Sequence, residues 1–273
     1  MDNKDYADAG PITALRPEHA RLLDRLPNDA AAICAAVQGL VIQPDDAAGA
    51  GVPEDRLAEK HIRPASRLLD VVLAHDRAPL SRAREPAARV VGTCRHFAVL
   101  SVALLRAKGI PARARCGFAT YFQPGLALDH WIAEYWWDRW VRIDSEILGG
   151  SLVARPDDLA PGEFLTGGEA WLRYRQGADA AIFGVSGTTH AWGVGEIRGN
   201  AIRDLAALCK VEMLPWDEWG RMTDSYAGRT GDRYDRLMDR IAEVSTTHDA
   251  GAIRALYADE DLTVPAAMLV LPS

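Results

Sequence analysis

Apolar and polar positions recur with two different periods along this chain, and the periods divide it. Up to about residue 75, apolar residues return three and four apart, which predicts helices over residues 17–26, 28–40 and 63–75. Asn28 is a candidate N-cap for the second, and Leu68, Leu69, Val72 and Leu73 mark the third. Between them QPDDAAGAGVPED, residues 43–55, is rich in Gly, Pro and Asp and predicts an exposed loop. Residues 97–105 are apolar nearly all round, the pattern of a central buried helix. Thr93 suits its N-cap, Arg106 and Lys108 bias its last turn, and Gly109 and Pro111 stop it. The period then falls to two. In ARARCGFATYF, residues 112–122, Ala114, Cys116 and Phe118 alternate with Arg113, Arg115 and Gly117. That predicts a strand with Cys116 and Phe118 on one face, Cys116 being a packed core thiol.

After a Pro124-Gly125 turn, DHWIAEYWWDRWVRIDSEI, residues 129–147, sets two aromatic runs around Asp138-Arg139 and predicts a hairpin. Parity limits its register. A two-residue loop pairs Trp137 with Trp140 and leaves Asp144 opposite Ala133, on the wrong face for His130. A three-residue loop, 137–139, pairs Trp136 with Trp140 and sets Asp144 opposite Ile132, on the face of His130. Asp138 in left-handed conformation suits such a loop. Gly149-Gly150 and the Pro156 to Pro161 stretch predict another loop, and Tyr234, Leu237, Ile241 and Val244 return to helical spacing. GTTHAWGVGEIRGN, residues 187–200, predicts a glycine-rich loop, with His190 at the surface or at a cap. No apolar strand precedes it, as a phosphate-binding loop requires. The near-helical spacing of Trp216 and Trp219 predicts core packing. The whole reads as one α+β domain, 1–273, with a helical N-terminal extension (1–64), a core (65–148) and a mostly helical C-terminal extension (149–273).

Composition narrows the chemistry. The formal net charge of −7, with no long basic run, gives no support for a nucleic-acid partner. No apolar run reaches the roughly 18–20 residues needed to span a bilayer, so no membrane association is expected. The first 30 residues carry acids and prolines where a secretory signal has an apolar centre. Cys34, Cys94, Cys116 and Cys209 form no CxxC pair, which argues against a disulfide framework or a cysteine-rich zinc site. A reducing cytoplasm is the expected compartment.

Cys94 stands out because it falls at the polar entrance of the central helix, beside Arg95 and His96, and not inside the apolar run. A thiolate in a first helical turn meets unpaired N–H groups and the positive end of the helix dipole, which lower its pKa from about 8.5. A small core residue at a helix start fits the same position. Downstream, His130 opens the hairpin and Asp144 ends it. The three types have complementary tasks: a thiolate attacks a carbonyl, an imidazole moves protons, and a carboxylate orients the imidazole.

Four ordered segments, GTCRHFAVLSVALLRA, KGIPARARCGF, DHWIAEYW and WVRID, resemble the transglutaminase-like superfamily of papain-type folds over roughly residues 65–148. They are similar to its Gly-x-Cys helix start, its Gly-Ile-Pro-Ala-Arg link, its His-led strand and its Trp-x-x-x-Asp strand. The resemblance implies a central Cys-bearing helix packed on a small antiparallel sheet, and catalytic Cys94, His130 and Asp144. It implies no metal or cofactor, and a thioester formed from a small-molecule or peptide acyl substrate. Water or an amine acceptor would resolve that thioester. Asp129, Glu134 and the four tryptophans between 131 and 140 favour the amine, through tolerance of its charge and exclusion of water. The alternative is a non-catalytic transglutaminase-like binding or scaffold module. Three departures from the family pattern stand out, one being that the C-terminal extension lies outside the resemblance, and substrate identity with it. No tryptophan precedes the cysteine to help hold an oxyanion, the first being Trp131. His96 also occupies a position where bacterial relatives often carry an acid.

Overall fold

Cys94–Ala107 forms the buried helix that its all-round apolar pattern predicts, and Ala112–Ala119 the strand that follows it. The structure, a computed structural model, describes residues 3–247, 249–259 and 261–269. In chain order the helices are α1 (Ala20–Leu23), α2 (Ala30–Gln38), α3 (Pro44–Ala47), α4 (Ala65–His75), α5 (Cys94–Ala107), α6 (Gly167–Arg175), α7 (Val194–Leu208), α8 (Met222–Tyr226), α9 (Asp232–Thr247), α10 (Ala250–Tyr257) and α11 (Ala266–Leu269). The strands are β1 (Val41–Ile42), β2 (Val90–Val91), β3 (Ala112–Ala119), β4 (Ala127–Trp136), β5 (Trp140–Ile143), β6 (Phe164–Thr166) and β7 (Phe183–Gly184). β1 and β2 pair in parallel. The other five form one sheet in the order β5-β4-β3-β6, with β7 also on β4. β4–β5 and β3–β6 are antiparallel, whereas β7 adds a parallel strand to the antiparallel sheet expected. The α+β class and the Cys-bearing helix are as the sequence reads. Among the described residues no helix is long and apolar enough to cross a membrane.

The chain divides into two compact units. One comprises Asn3–Ala114 and Trp131–Leu159. Here α2 and α4 pack on α5, which is buried from Cys94 through Arg106. Burial of Arg106 is made tolerable by Nε donating to Ala112 O (2.8 Å) and Nη1 to Thr13 Oγ1 (2.6 Å). Arg113 is also buried, where simple alternation leaves it on a polar face. Its Nε donates to Glu134 Oε2 (2.7 Å), and its guanidinium lies 4.0 Å from the centre of the Trp140 ring. Arg142 Nε holds the other Glu134 oxygen (3.1 Å). The expected exposed loop at 43–55 contains α3 and buries Ala47 and Val52 against Ile42 and Val91. Asp29, one residue past the expected Asn28, caps α2 by accepting from Ala32 N (2.8 Å).

The second unit comprises Arg115–His130 and the residues from Ala160 onward. A reciprocal capping box starts α6: Thr166 Oγ1 accepts from Glu169 N and Thr166 N donates to Glu169 Oε2. α6, α7 and α9 pack on one another, with α8 against α7 and α10 against α7 and α9. Arg115, like Arg113, is buried against alternation, because Asp204 on α7 accepts both its Nε (2.9 Å) and its Nη2 (2.8 Å). Residues 194–200, expected in a glycine-rich loop, are instead the first two turns of α7. The buried face of α9 carries Tyr234, Met238 and Ile241, so Leu237 and Val244 lie at its margin.

Candidate active site

Cys94 is the first residue of α5 and is 8% exposed. Thr93 is the N-cap, and its N–H donates to Nδ1 of His96 (3.0 Å), the third helical residue. His96 thereby plays the part that Glu or Gln plays in a capping box. Its Nε2 faces Ile62 O at 3.1 Å, so the ring donates there and accepts at Nδ1. Burial, with Arg95 beside it, pushes its pKa down to about 3, so this ring is neutral and structural.

The hairpin register is the one that parity requires for a common face. Trp136 pairs with Trp140 and Ala133 with Ile143 across a three-residue loop at 137–139. One step further places Asp144 opposite Ile132, and β4 alternation puts Ile132 and His130 on one face. The loop reaches this register without a left-handed Asp138, since Lys210 is the non-glycine residue with positive φ among those described. His130 is 2% exposed and flanked edge-on by Phe122 and Tyr121, with ring centroids at 5.0 and 6.2 Å. Asp144 is 1% exposed, and its Oδ1 accepts from Glu146 N (3.0 Å).

Two side chains without a marked place in the sequence reading lie close to these segments. The parallel pairing of β1 with β2 carries Gln43 alongside the turn into Cys94, because Gly92 N donates to Ile42 O (2.9 Å). Gln43 Nε2 in turn donates to Glu146 Oε1 (2.8 Å). The signal that could have found Gln43 is its position at the end of a short apolar run. It was obscured by the Gly- and Pro-rich stretch that follows.

Two of the other cysteines are in settings that hold the thiol protonated. Burial pushes Cys34 up to about 11 and Cys209 up to about 12. Cys116 is fully buried on β3. Glu134, expected near an amine acceptor, is occupied by Arg113 and Arg142. Of the hairpin tryptophans, Trp131 is buried, and Trp136 and Trp140 stack edge-to-face at 5.4 Å. Trp137 at the loop tip is 79% exposed. Trp131, Trp136 and Trp140 are thus engaged in packing, and Glu134 in ion pairs, which weakens these grounds for preferring transfer over hydrolysis.

Residues 71–145, about a quarter of the chain, match the model of the transglutaminase-like superfamily. The matched span contains Cys94, His130 and Asp144. No curated protein matches the sequence. A solved structure from Cytophaga hutchinsonii, whose own assignment as a cysteine protease is provisional, is similar at 19% identity with a TM-score of 0.20. The similarity covers 54% of this chain and 48% of that one, so the chain spans about half the length of the solved protein.

Proposed function

We propose that this protein is a cysteine-dependent acyl-group enzyme, with Cys94 as nucleophile, His130 as general acid and base, and Asp144 as the group that orients His130. The observation that carries the reading is the three-residue hairpin loop, because it gives His130 and Asp144 the same face. The Cys94 thiolate attacks the carbonyl carbon of an amide or related acyl compound, and the carbonyl π electrons move to oxygen. On collapse the C–N bond breaks, and the leaving amine takes the proton held by the His130 imidazolium. The acyl group is then a thioester on Cys94. Water or a second amine attacks it, His130 accepts that nucleophile's proton, and the thiolate is released with an acid or a new amide. Asp144 stabilises the imidazolium through both steps.

The oxyanion needs at least two donors. Cys94 N–H at the start of α5 is one. The Gln43 side-chain amide, held beside the Gly92–Cys94 turn and fixed by Glu146, is the second that we propose.

Incubating the protein with activated acyl esters and glutamine-containing peptides, followed by acid quench and intact mass, tests the reading. It predicts an acyl adduct on Cys94 that is absent from Cys94→Ala and is discharged by hydroxylamine. An adduct confined to other residues, or none with any acyl donor, would overturn it. Increasing diamine then separates transfer, in which amide product rises at the expense of acid, from hydrolysis.

A further inference from the structure

The stretch GVGEIRGN, which the reaction leaves unused, opens α7 beside a cavity of about 470 Å³ within the second unit. A pocket of this volume suits a small organic ligand. Its walls bring three carboxylates, Asp129, Glu196 and Glu218, to one guanidinium, Arg203, with Tyr226 and the rim residues His190 and Trp216. Asp129 neighbours His130 on β4, so alternation sends its side chain to the opposite face of the sheet. The pocket is therefore a different place from the proposed catalytic face.

The glycines of α7 account for the pocket's shape. A Cβ on Gly199 would stand 2.1 Å from the Tyr226 hydroxyl, and one on Gly195 would stand 3.2 Å from the Tyr226 ring. Their absence lets Tyr226 lie against the helix. There its hydroxyl accepts from Arg203 Nη1 (3.0 Å).

The Arg203 charge is already engaged. Besides Tyr226, its Nη1 donates to Asn200 Oδ1 (3.2 Å) and its Nε to Asp217 O (3.4 Å). Asp129 accepts from Asn200 Nδ2 (2.7 Å), and Glu218 accepts from Thr223 Oγ1 (3.0 Å). Glu196 is different. It is 9% exposed, lines the cavity, and among the described residues its carboxylate takes part in no hydrogen bond or ion pair. Trp216 offers an aromatic surface, 42% exposed, at the same cavity.

From these observations we infer that the cavity binds an organic cation, an ammonium or amidinium group carried on an apolar body. Its charge meets Glu196 and Glu218, and its body lies against Trp216. Asp129 adds to the negative potential from the β4 side. The site requires only this unit's own residues and stands whether or not Cys94 is a nucleophile. Burial, opposed by Arg203 and reinforced by Asp129 and Glu218, pushes the Glu196 carboxyl up to about 7. Raising pH through that value completes its ionisation, so a cation binds more tightly at pH 8 than at pH 6 and displaces a proton as it binds.

Calorimetric titration of the full-length protein with 2-phenylethylamine and benzamidine tests the inference, with 2-phenylethanol and phenylacetate as neutral and anionic controls. Saturable one-to-one binding of at least one cation is expected, with the alcohol weaker by about tenfold or more and no binding of phenylacetate. Glu196→Gln should weaken the cation by about tenfold and flatten its pH dependence. The exposed-rim change Glu218→Gln should weaken it several-fold, and gives the same test should Glu196→Gln fail to fold. Trp216→Phe should remove the accompanying fluorescence change while retaining binding. Failure of both cations at millimolar concentration, or equal binding of the alcohol, would overturn the inference. So would affinity unchanged in both Glu variants.

Discussion

Replacing Asp204 with alanine should be among the most destabilising single changes in the second unit. The Asp204 carboxylate is fully buried and accepts three hydrogen bonds, from Arg115 Nε (2.9 Å), Arg115 Nη2 (2.8 Å) and Cys116 N (3.0 Å). Asp204→Ala leaves a buried guanidinium without its counter-charge and a β3 N–H without its acceptor. Breaking a buried ion pair from one side costs about 3–5 kcal/mol, mostly as the penalty of the stranded charge. At about 2–4 °C per kcal/mol for a unit of this size, the melting temperature should fall by about 6–20 °C. Removing both charges, as in Arg115→Met with Asp204→Leu, strands no ion, and the remaining cost is that of the orphaned Cys116 N–H, about 1–3 kcal/mol. The double variant should therefore be more stable than Asp204→Ala. Urea unfolding followed by far-UV circular dichroism, with the full double-mutant cycle, measures this. A loss below about 1 kcal/mol for Asp204→Ala, or a double variant no more stable than the single one, would refute the reasoning.

Two further changes probe α5, which carries Cys94, and the neighbouring strand β3. His96 has its folded pKa depressed from 6.5 to about 3, so the unfolded chain binds a proton that the folded chain refuses between those values. Its contribution is present above pH 6.5 and is lost as pH falls toward 3, on the order of 5 kcal/mol in total. Stability measured from pH 7 to 4 should fall less steeply in His96→Gln, which keeps a cap acceptor, than in the parent; parallel curves would contradict this. Gly117→Ala places a Cβ 1.9 Å from Leu165 O, a backbone atom that must move and open the β3–β6 pairing. A cost of about 3 kcal/mol or more is expected, with lost amide protection along β6; an unchanged melting temperature would contradict the close approach.

What was readable in the sequence was local. Thr93 and the Gly109 stop bracket α5 to within a residue or two, because cap and stop chemistry act within one turn. Parity narrowed the hairpin to two registers, and requiring His130 and Asp144 to share a face selects the Trp136–Trp140 pairing that is observed. The burial of Arg113 and Arg115 was not readable, because their partners Glu134 and Asp204 lie 21 and 89 residues away. A two-residue period reports which side a residue takes and not whether that side is solvated. α7 was misread for a related reason. Gly195 and Gly199 have the composition of a loop, yet they are glycine because Tyr226 lies against the helix there. Trp216 was likewise assigned to the core from spacing alone, whereas it lines the cavity that Trp219, buried and donating to Leu262 O (2.8 Å), does not reach.

The central claim is that Cys94 is an activated nucleophile, and the rate of its alkylation as a function of pH tests it most directly. The protein is exposed to limiting iodoacetamide from pH 5 to 9, and each of the four cysteines is followed by peptide mass spectrometry. The account predicts that Cys94 reacts first and already reacts at about pH 6, well below the free-thiol pKa of about 8.5. Cys34 and Cys209, pushed up to about 11 and 12, should remain unlabelled through that range, and His130→Ala should slow Cys94. Labelling of Cys94 that rises only above pH 8 and is indifferent to His130, or equal labelling of all four thiols, would contradict the account.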